Sequence, residues 1–180
     1  MKLTNLRFFS LMILIFIVGC SGITPTSAIP ASNLATFTDQ NKYYQIQLPK
    51  DWNHKQTTVS HYYVDTFTSP DGNAEIQNIA YDDGTPIAAS TNGQFALGLL
   101  DKYFGTTGQT GSIIISDTNM ENDGSERLSW SSQSKDVSGI SFIEIRNETT
   151  FLIFTVEWKN QYKSQYFSIL DQVVASYTVP

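Results

Sequence analysis

The segment FLIFTVEW (Phe151–Trp158) decides the fold, because it is apolar on both alternations of a strand for part of its length. A strand with one solvent-facing side alternates apolar and polar residues, whereas a strand covered on both faces reads as a continuous apolar run. The segment IIISD (Ile113–Asp117) has the same character. Both segments are therefore predicted to be central strands of a sheet that carries helices on both sides.

Five further segments show strand patterns. The clearest is Tyr44–Leu48, where Tyr44, Ile46 and Leu48 alternate with glutamines. The turn SPDGN at 69–73 predicts a hairpin of residues 57–68 with residues 74–81, because Pro70 presets φ and Gly72 accepts a positive φ. The complete set of predicted strands is 44–48, 57–68, 74–81, 112–117, 126–132, 139–146 and 150–158.

Two helices are predicted, one after the third strand and one after the last. In residues 95–104, Phe95, Leu99 and Tyr103 recur at intervals of four, with Gly105 as a stop signal. The second helix is predicted to begin near Asn160, which is a good N-terminal cap. Strands grouped between helices predict an α+β fold, namely an antiparallel sheet of about six or seven strands flanked by helices.

The N-terminus has the pattern of an export signal. Lys2 and Arg7 precede an apolar run of eleven residues, 8–18, whereas a bilayer span needs about 20. The run ends in IVGC, which resembles a bacterial lipobox with Cys20 as the modified residue. We therefore expect a signal peptide at 1–19 and a lipid anchor on Cys20. The alternative is that Cys20 is only a small apolar residue of a membrane-facing helix.

Composition divides the rest of the chain into a tether and a domain. Residues 20–40 are rich in Ser, Thr, Pro, Ala and Gly and are predicted to be a flexible tether, and residues 41–180 are the length of one domain. Without residues 1–19, nine basic and 17 acidic residues remain, for a formal net charge of −8. An acidic surface repels phosphates, so nucleic acid is not an expected partner, and lipid supplies the membrane attachment.

Residue types alone suggest two metal sites. His54 and His61, joined by Asp65 or Glu75, are the donors that zinc or manganese prefer, although their spacing is not a standard one. The simpler interpretation is that His54 is a solvated loop residue and His61 a structural strand residue. In Ser116–Glu126, Asp117, Asn119 and Glu121 alternate like calcium ligands, but Gly124 is misplaced, so an acidic hairpin turn is favoured.

No catalytic motif is readable. Acylation of Cys20, the single cysteine, removes thiol chemistry, and no phosphate-binding glycine loop is present. We therefore expect no enzyme activity, no cofactor and no catalytic residue. Trp130 and Trp158 are predicted to be core residues, whereas Trp52 fits a core position or a recognition surface equally well.

Four segments together resemble the PsbP-like family, named for the extrinsic photosystem II subunit. They are YYQIQLPKDWN (43–53), DTFTSPDGNAEI (65–76), NGQFALGLLDKYFG (92–105) and FSILDQVVASYTV (167–179). The resemblance covers nearly all of 41–180 and implies an α/β/α sandwich. It further implies a non-catalytic domain that binds and stabilises protein complexes at a membrane surface.

Together these features predict a lipoprotein whose domain faces the extracytoplasmic side and binds a protein partner of unknown identity. The alternative is a lipoprotein that binds a metal or a small ligand. A hydrolase is disfavoured because no nucleophile and base are readable as a pair.

Overall fold

The computed structural model describes residues 33–88, 95–96, 98–99, 113–122, 124–132 and 136–180. The strands in these ranges are β1 Leu34–Thr38, β2 Gln45–Pro49, β3 Asn53–Val59, β4 Tyr62–Thr68, β5 Ala74–Tyr81, β6 Ile113–Met120, β7 Glu126–Ser132, β8 Val137–Arg146 and β9 Thr150–Lys159. A 3-10 turn, Asn160–Tyr162, leads into the C-terminal helix α1, Lys163–Ala175.

The strands form two antiparallel sheets. β1 and β2 form a two-stranded sheet, and the other strands form a seven-stranded sheet in the order β3-β4-β5-β9-β8-β7-β6. This confirms the predicted antiparallel sheet of the α+β class, with a C-terminal helix. The register aligns Ile79 and Ile143 with Ile153 on either side of β9.

The prediction of two central strands is confirmed for one and wrong for the other. β9 lies in the middle of the large sheet, and each residue from Thr150 to Val156 is buried. β6 is instead an edge strand that pairs with β7 alone among the described strands, and Ile114 is 43% exposed. An apolar run of three isoleucines therefore marks β-propensity at this edge rather than burial on two faces.

The predicted strand 57–68 is two strands. Ser60 adopts a positive φ of 53°, and the turn there separates β3 from β4. β4 and β5 form the predicted hairpin. All seven side chains of β3 are exposed. The sequence of this edge strand therefore has no apolar alternation that would indicate where the strand begins.

The predicted tether ends earlier than residue 40. β1 lies inside the predicted tether and pairs with β2 over its whole length, from Leu34↔Pro49 to Thr38↔Gln45. β1 is ordered through its pairing with β2, and its composition, which resembles that of the preceding residues, does not reveal this. The predicted signal peptide, Cys20 and the predicted tether up to residue 32 lie outside the described residues.

α1 covers one face of the large sheet together with β1 and β2, and we call this the α1 face. Tyr166, Leu170 and Val173 of α1 are buried there against β9, and each such burial contributes about 1.5–3 kcal/mol. α1 begins at Lys163, three residues later than predicted. Asn160 does not cap it, since its side chain donates to Asp136 Oδ1 at 2.9 Å.

The opposite face carries a second core. Leu128, Trp130, Ile143 and Ile153 from the sheet are buried in it, together with Leu99. Residues 95, 96, 98 and 99 are helical, which agrees with the predicted first helix where the two overlap. The remainder of that predicted helix lies outside the described residues. Among the described helices none is long and apolar enough to cross a membrane.

Candidate functional site

A cavity of about 450 Å³ lies on the α1 face, between the end of α1 and strands β7, β8 and β9. We call it the helix cavity. Its lining combines an apolar floor with groups of both charges, including Glu121, Arg127, Phe142, Leu152, Phe154 and Val174. The volume is within the range of about 300–1,000 Å³ that is typical of ligand pockets.

Sheet register brings the floor of the helix cavity together from distant parts of the chain. Arg127 is the cross-strand neighbour of Phe142, which in turn is the neighbour of Phe154. Val174 in the last turn of α1 and Tyr177 just beyond it form the other wall. No residue of β6 or β7 belongs to the α1-face core, so the cavity lies where the cover by α1 stops.

Arg146 fixes one end of the helix cavity. Its guanidinium donates to both carboxylate oxygens of Glu144, at 2.7 Å and 2.8 Å, and to the backbone oxygen of Tyr43. It also donates to the hydroxyl of Tyr177 at 3.3 Å, which ties the C-terminal segment to the sheet. The charge of Glu144 is therefore matched within the protein by a bidentate ion pair.

The second group of interest surrounds Asp65, and we call Asp39, Tyr44, His54 and Asp65 the Asp65 cluster. His54 Nε2 lies 2.8 Å from Asp65 Oδ1, and the hydroxyl of Tyr44 donates to Asp65 Oδ2 at 3.0 Å. Asp39 accepts hydrogen bonds from two backbone N–H groups of the β1–β2 turn. The cluster therefore joins the small sheet to β3 and β4.

Burial affects two groups of the Asp65 cluster, Asp39 and Tyr44. It raises the pKa of Asp39 and that of Tyr44, and the charge of Asp65 nearby acts in the same direction on both. Asp39 and Asp65 are each 2% exposed, and Tyr44 is fully buried. The ring of His54 stacks on that of Phe67, with centroids 4.6 Å apart, but the His54 side chain is still 36% exposed. Asp39, Tyr44 and Asp65 are therefore shielded from solvent, whereas His54 is partly exposed to it.

The structure does not bring together the residues of the first metal hypothesis. His54 lies in strand β3 and not in a loop, and it contacts Asp65 although its side chain is partly exposed. His61 lies in the β3–β4 turn beside the ring of Tyr81. Glu75 and Asp65 project from opposite faces of the sheet. Glu75 is the cross-strand neighbour of Thr68, which lies three residues after Asp65 and therefore faces the other way. Within the described ranges there is no group of three or more metal-binding side chains.

The acidic segment Ser116–Glu126 forms a hairpin, as favoured. Strands β6 and β7 pair antiparallel through it, and the backbone N–H of Glu121 donates to Ser125 at its tip. Gly124 supplies the positive φ of 88° that the turn requires. Asp117 and Asn119 lie in β6 and are cross-strand neighbours of Ser129 and Arg127, so their alternation follows from strand geometry.

All three tryptophans are core residues. Trp130 and Trp158 are 2% and 4% exposed, as predicted. Trp52, for which two positions were open, is 8% exposed and packs edge-on against Tyr166 of α1. Trp52 therefore holds α1 on the sheet.

Sequence reasoning missed the helix cavity. Its walls come from segments as far apart as Glu121 and Tyr177, so no local motif contains them. The available signal was Arg127, a single basic residue within the strand segment ERLSWSS (126–132). A long charged side chain there indicates a polar environment on that face, but not a cavity.

Sequence comparisons identify no relative. No protein-family model matches the chain, and no curated protein sequence matches it.

A comparison of structures does find a similar fold. The chain is similar to cyanobacterial PsbP (CyanoP) from Synechocystis sp. PCC 6803, known from its solution structure, with a TM-score of 0.58 and 13% sequence identity. The match covers 91% of this chain and 99% of that one. The domain therefore has a PsbP-like fold, as the resemblance of its sequence segments predicted.

Proposed function

We propose that this protein is a lipid-anchored accessory protein, whose non-catalytic domain binds a protein partner at the extracytoplasmic face of a membrane. The observation that carries the proposal is the PsbP-like fold over 91% of the chain. That likeness supports a partner-interacting domain without catalysis. The lipid anchor and the binding of a specific partner at the membrane are further parts of the proposal.

The anchor rests on the sequence around Cys20. The lipobox-like IVGC follows a short apolar run, and a diacylated cysteine with a further acyl chain binds membranes stably, at about 0.8 kcal/mol for each buried CH₂. The chain between Cys20 and β1 then separates the domain from the bilayer by 13 residues, which reach on the order of 40 Å when extended.

A non-catalytic role is supported by the use of the titratable groups in the Asp65 cluster. Tyr44 and Asp65 are buried in the interior, and their hydrogen bonds hold β2 against β4. A hydrogen-bonded His–Asp pair resembles the orienting part of a catalytic triad, but catalysis also requires a nucleophile that substrate can reach. We therefore assign this pair to structure.

Candidate partner surfaces are the places where large apolar side chains are exposed. Met120 at the end of β6 is 71% exposed, and Phe167 on α1 is 41% exposed. Val59, at the opposite edge of the sheet, is 60% exposed. These positions are therefore suited to mapping a contact.

The anchor is tested by fractionating cells that express the full chain or its Cys20→Ala variant. The wild type should remain with membranes after a high-salt wash, because acyl chains and not charge hold it. The variant should lose that attachment. Equal fractionation of the two proteins would contradict the lipid anchor.

The partner is tested by photo-crosslinking in native membranes, with a crosslinking residue in place of Val59, Met120 or Phe167. One partner should form a covalent adduct at one of these surfaces and not at all three, and excess unlabelled protein should compete it away. Adducts of equal pattern at all three positions, or none at any, would contradict a specific partner at these surfaces.

A further inference from the structure

The charged groups of the helix cavity differ in how they are paired: one carboxylate is in a close ion pair, one arginine is in a looser and partly exposed ion pair, and one carboxylate has no ion pair among the described residues. Glu144 is held by Arg146 in a bidentate pair. Arg127 contacts Asp117 at 3.6 Å, which is beyond hydrogen-bonding distance, and the Asp117 side chain is 55% exposed. Glu121 forms no ion pair within the described part of the chain. Arg127 and Glu121 thus line one cavity with opposite charges and do not pair with each other.

A second donor belongs to Trp158, which lines a side cavity together with Arg127. This side cavity of about 90 Å³ shares Arg127, Phe142 and Val174 with the helix cavity and is lined further along by Trp158. Trp158 is 4% exposed, and its indole N–H has no acceptor among the described residues. A buried donor without an acceptor costs about 1–3 kcal/mol, so this N–H calls for an acceptor that the protein does not supply.

The floor between the charged groups is apolar. Phe142, Leu152 and Phe154 form it, and Leu152 and Phe154 are only 1% and 3% exposed. The rings of Phe154 and Tyr177 are in contact, with centroids 4.9 Å apart. A ligand in the cavity therefore meets apolar groups below and one charge of each sign at the side.

From these groups we propose that the helix cavity binds a small zwitterion with an apolar side chain, namely a free α-amino acid or a short peptide. Its carboxylate accepts from the guanidinium of Arg127 and the indole N–H of Trp158. Its ammonium group faces Glu121, and its side chain packs on Phe142 and Phe154.

The charges decide against simpler ligands. A fatty acid satisfies Arg127 but leaves the carboxylate of Glu121 beside an apolar chain, which removes its water without a partner. An organic cation satisfies Glu121 but is repelled by Arg127. A zwitterion pairs with both Arg127 and Glu121, and the helix cavity has the volume for one to a few residues.

The site goes beyond the proposed function, because it needs neither the anchor nor a protein partner. Binding is measured with the purified full chain in detergent, so failure of this experiment leaves the crosslinking result standing, and the reverse also holds.

The experiment is calorimetry with four probes: L-leucine, the dipeptide Leu-Leu, N-acetyl-leucine and leucinamide. We expect binding of leucine or of the dipeptide, and the tighter of the two identifies the source as free amino acid or peptide. N-acetyl-leucine lacks the ammonium charge and leucinamide lacks the carboxylate. Each should bind at least about tenfold more weakly, as expected for loss of one charge-assisted hydrogen bond.

Variants locate the site. Arg127→Gln and Glu121→Gln should each weaken binding about tenfold or more, and Arg127→Gln should abolish the preference for leucine over leucinamide. Trp158→Phe keeps an apolar ring and should weaken binding through loss of the N–H. The matched controls Lys55→Gln and Glu148→Gln remove exposed charges of β3 and of the β8–β9 turn and should bind like wild type.

Three results would overturn the proposal. The first is no heat with leucine or the dipeptide at concentrations up to about 10 mM, where even a weak site is partly filled. The second is equal binding of leucine and both of its derivatives, a comparison that requires no variant to fold. The third is wild-type binding by Arg127→Gln and Glu121→Gln.

Discussion

Polar side chains on the two faces of strands β7, β8 and β9 differ in whether they have hydrogen-bond partners. On the opposite face, the indole N–H of Trp130 donates to Ser141 Oγ at 2.9 Å, and Ser141 shares a hydrogen bond of 2.8 Å with Thr155. On the α1 face, Trp158 has an indole N–H without an acceptor among the described residues, and Arg127 has only a distant contact. The same three strands thus carry a completed network and an incomplete one.

Packing differs in the same sense. A Cβ atom added to Gly139 on the opposite face would lie 2.4 Å from the ring of Trp130, so no space remains there. On the α1 face the helix cavity is open beside Phe142. Completed hydrogen bonds with close packing indicate structure, and unmatched groups beside open space indicate binding.

The largest effect is expected from truncation on the closed face. Trp130→Ala should lower the free energy of unfolding by about 3–5 kcal/mol, the usual cost of deleting a buried large aromatic side chain. Phe142→Ala should cost less than half as much, because this half-buried ring already borders a cavity. Urea denaturation of both variants measures the difference. Equal losses would remove the distinction in packing between the faces.

A smaller loss is expected where side-chain volume is added. Gly139→Ala should cost about 1–3 kcal/mol, because the new methyl group overlaps the Trp130 ring and both must shift. The matched control is Gly98→Ala, at a helical position with nothing within 4 Å of the new Cβ, which should be neutral or stabilising. Thermal unfolding followed by circular dichroism compares the two, and a neutral Gly139→Ala would contradict close packing at this site.

Two carboxylates on the α1 side, Asp39 and Asp71, should contribute to stability with opposite dependence on pH, because their environments differ. Burial raises the pKa of Asp39, so the stability that it contributes is present at low pH and decreases as the pH rises above about 4. The hydrogen bond from Tyr166 lowers the pKa of Asp71, so its contribution is present at neutral pH and is lost as the pH falls below about 4.

The test compares wild type with Asp39→Asn and with Asp71→Asn by urea denaturation between pH 3 and pH 7, the range spanned by the ordinary carboxyl titration. As the pH rises, wild type should lose stability relative to Asp39→Asn and gain stability relative to Asp71→Asn. Parallel trends for the two variants would show that burial and hydrogen bonding do not separate these groups.

Part of the fold was predictable because its cause is local. Residues 151–158 are apolar on both alternations over much of their length, which predicted the central strand, and Pro70 and Gly72 predicted the β4–β5 turn. β1 and the edge position of β6 were not predictable, because both depend on which strand pairs with which.

Less of the candidate site was predictable. The residues singled out from the sequence, His54 and His61, are separated by the fold, and His54 takes part in the Asp65 cluster. The polar groups proposed to bind the ligand lie on different strands and turns, namely Glu121, Arg127 and Trp158. Whether a polar group has a partner depends on its neighbours in space, and the sequence alone does not show these.

One measurement tests the difference between the faces most directly: the stability of Trp130→Phe against that of Trp158→Phe. Both changes remove a buried indole N–H and a similar volume, but only the N–H of Trp130 has an acceptor in the described structure. We expect Trp130→Phe to be less stable than Trp158→Phe by about 1–3 kcal/mol, since one change breaks a hydrogen bond and the other removes an unmatched donor. Equal stabilities, or a larger loss for Trp158→Phe, would contradict the account.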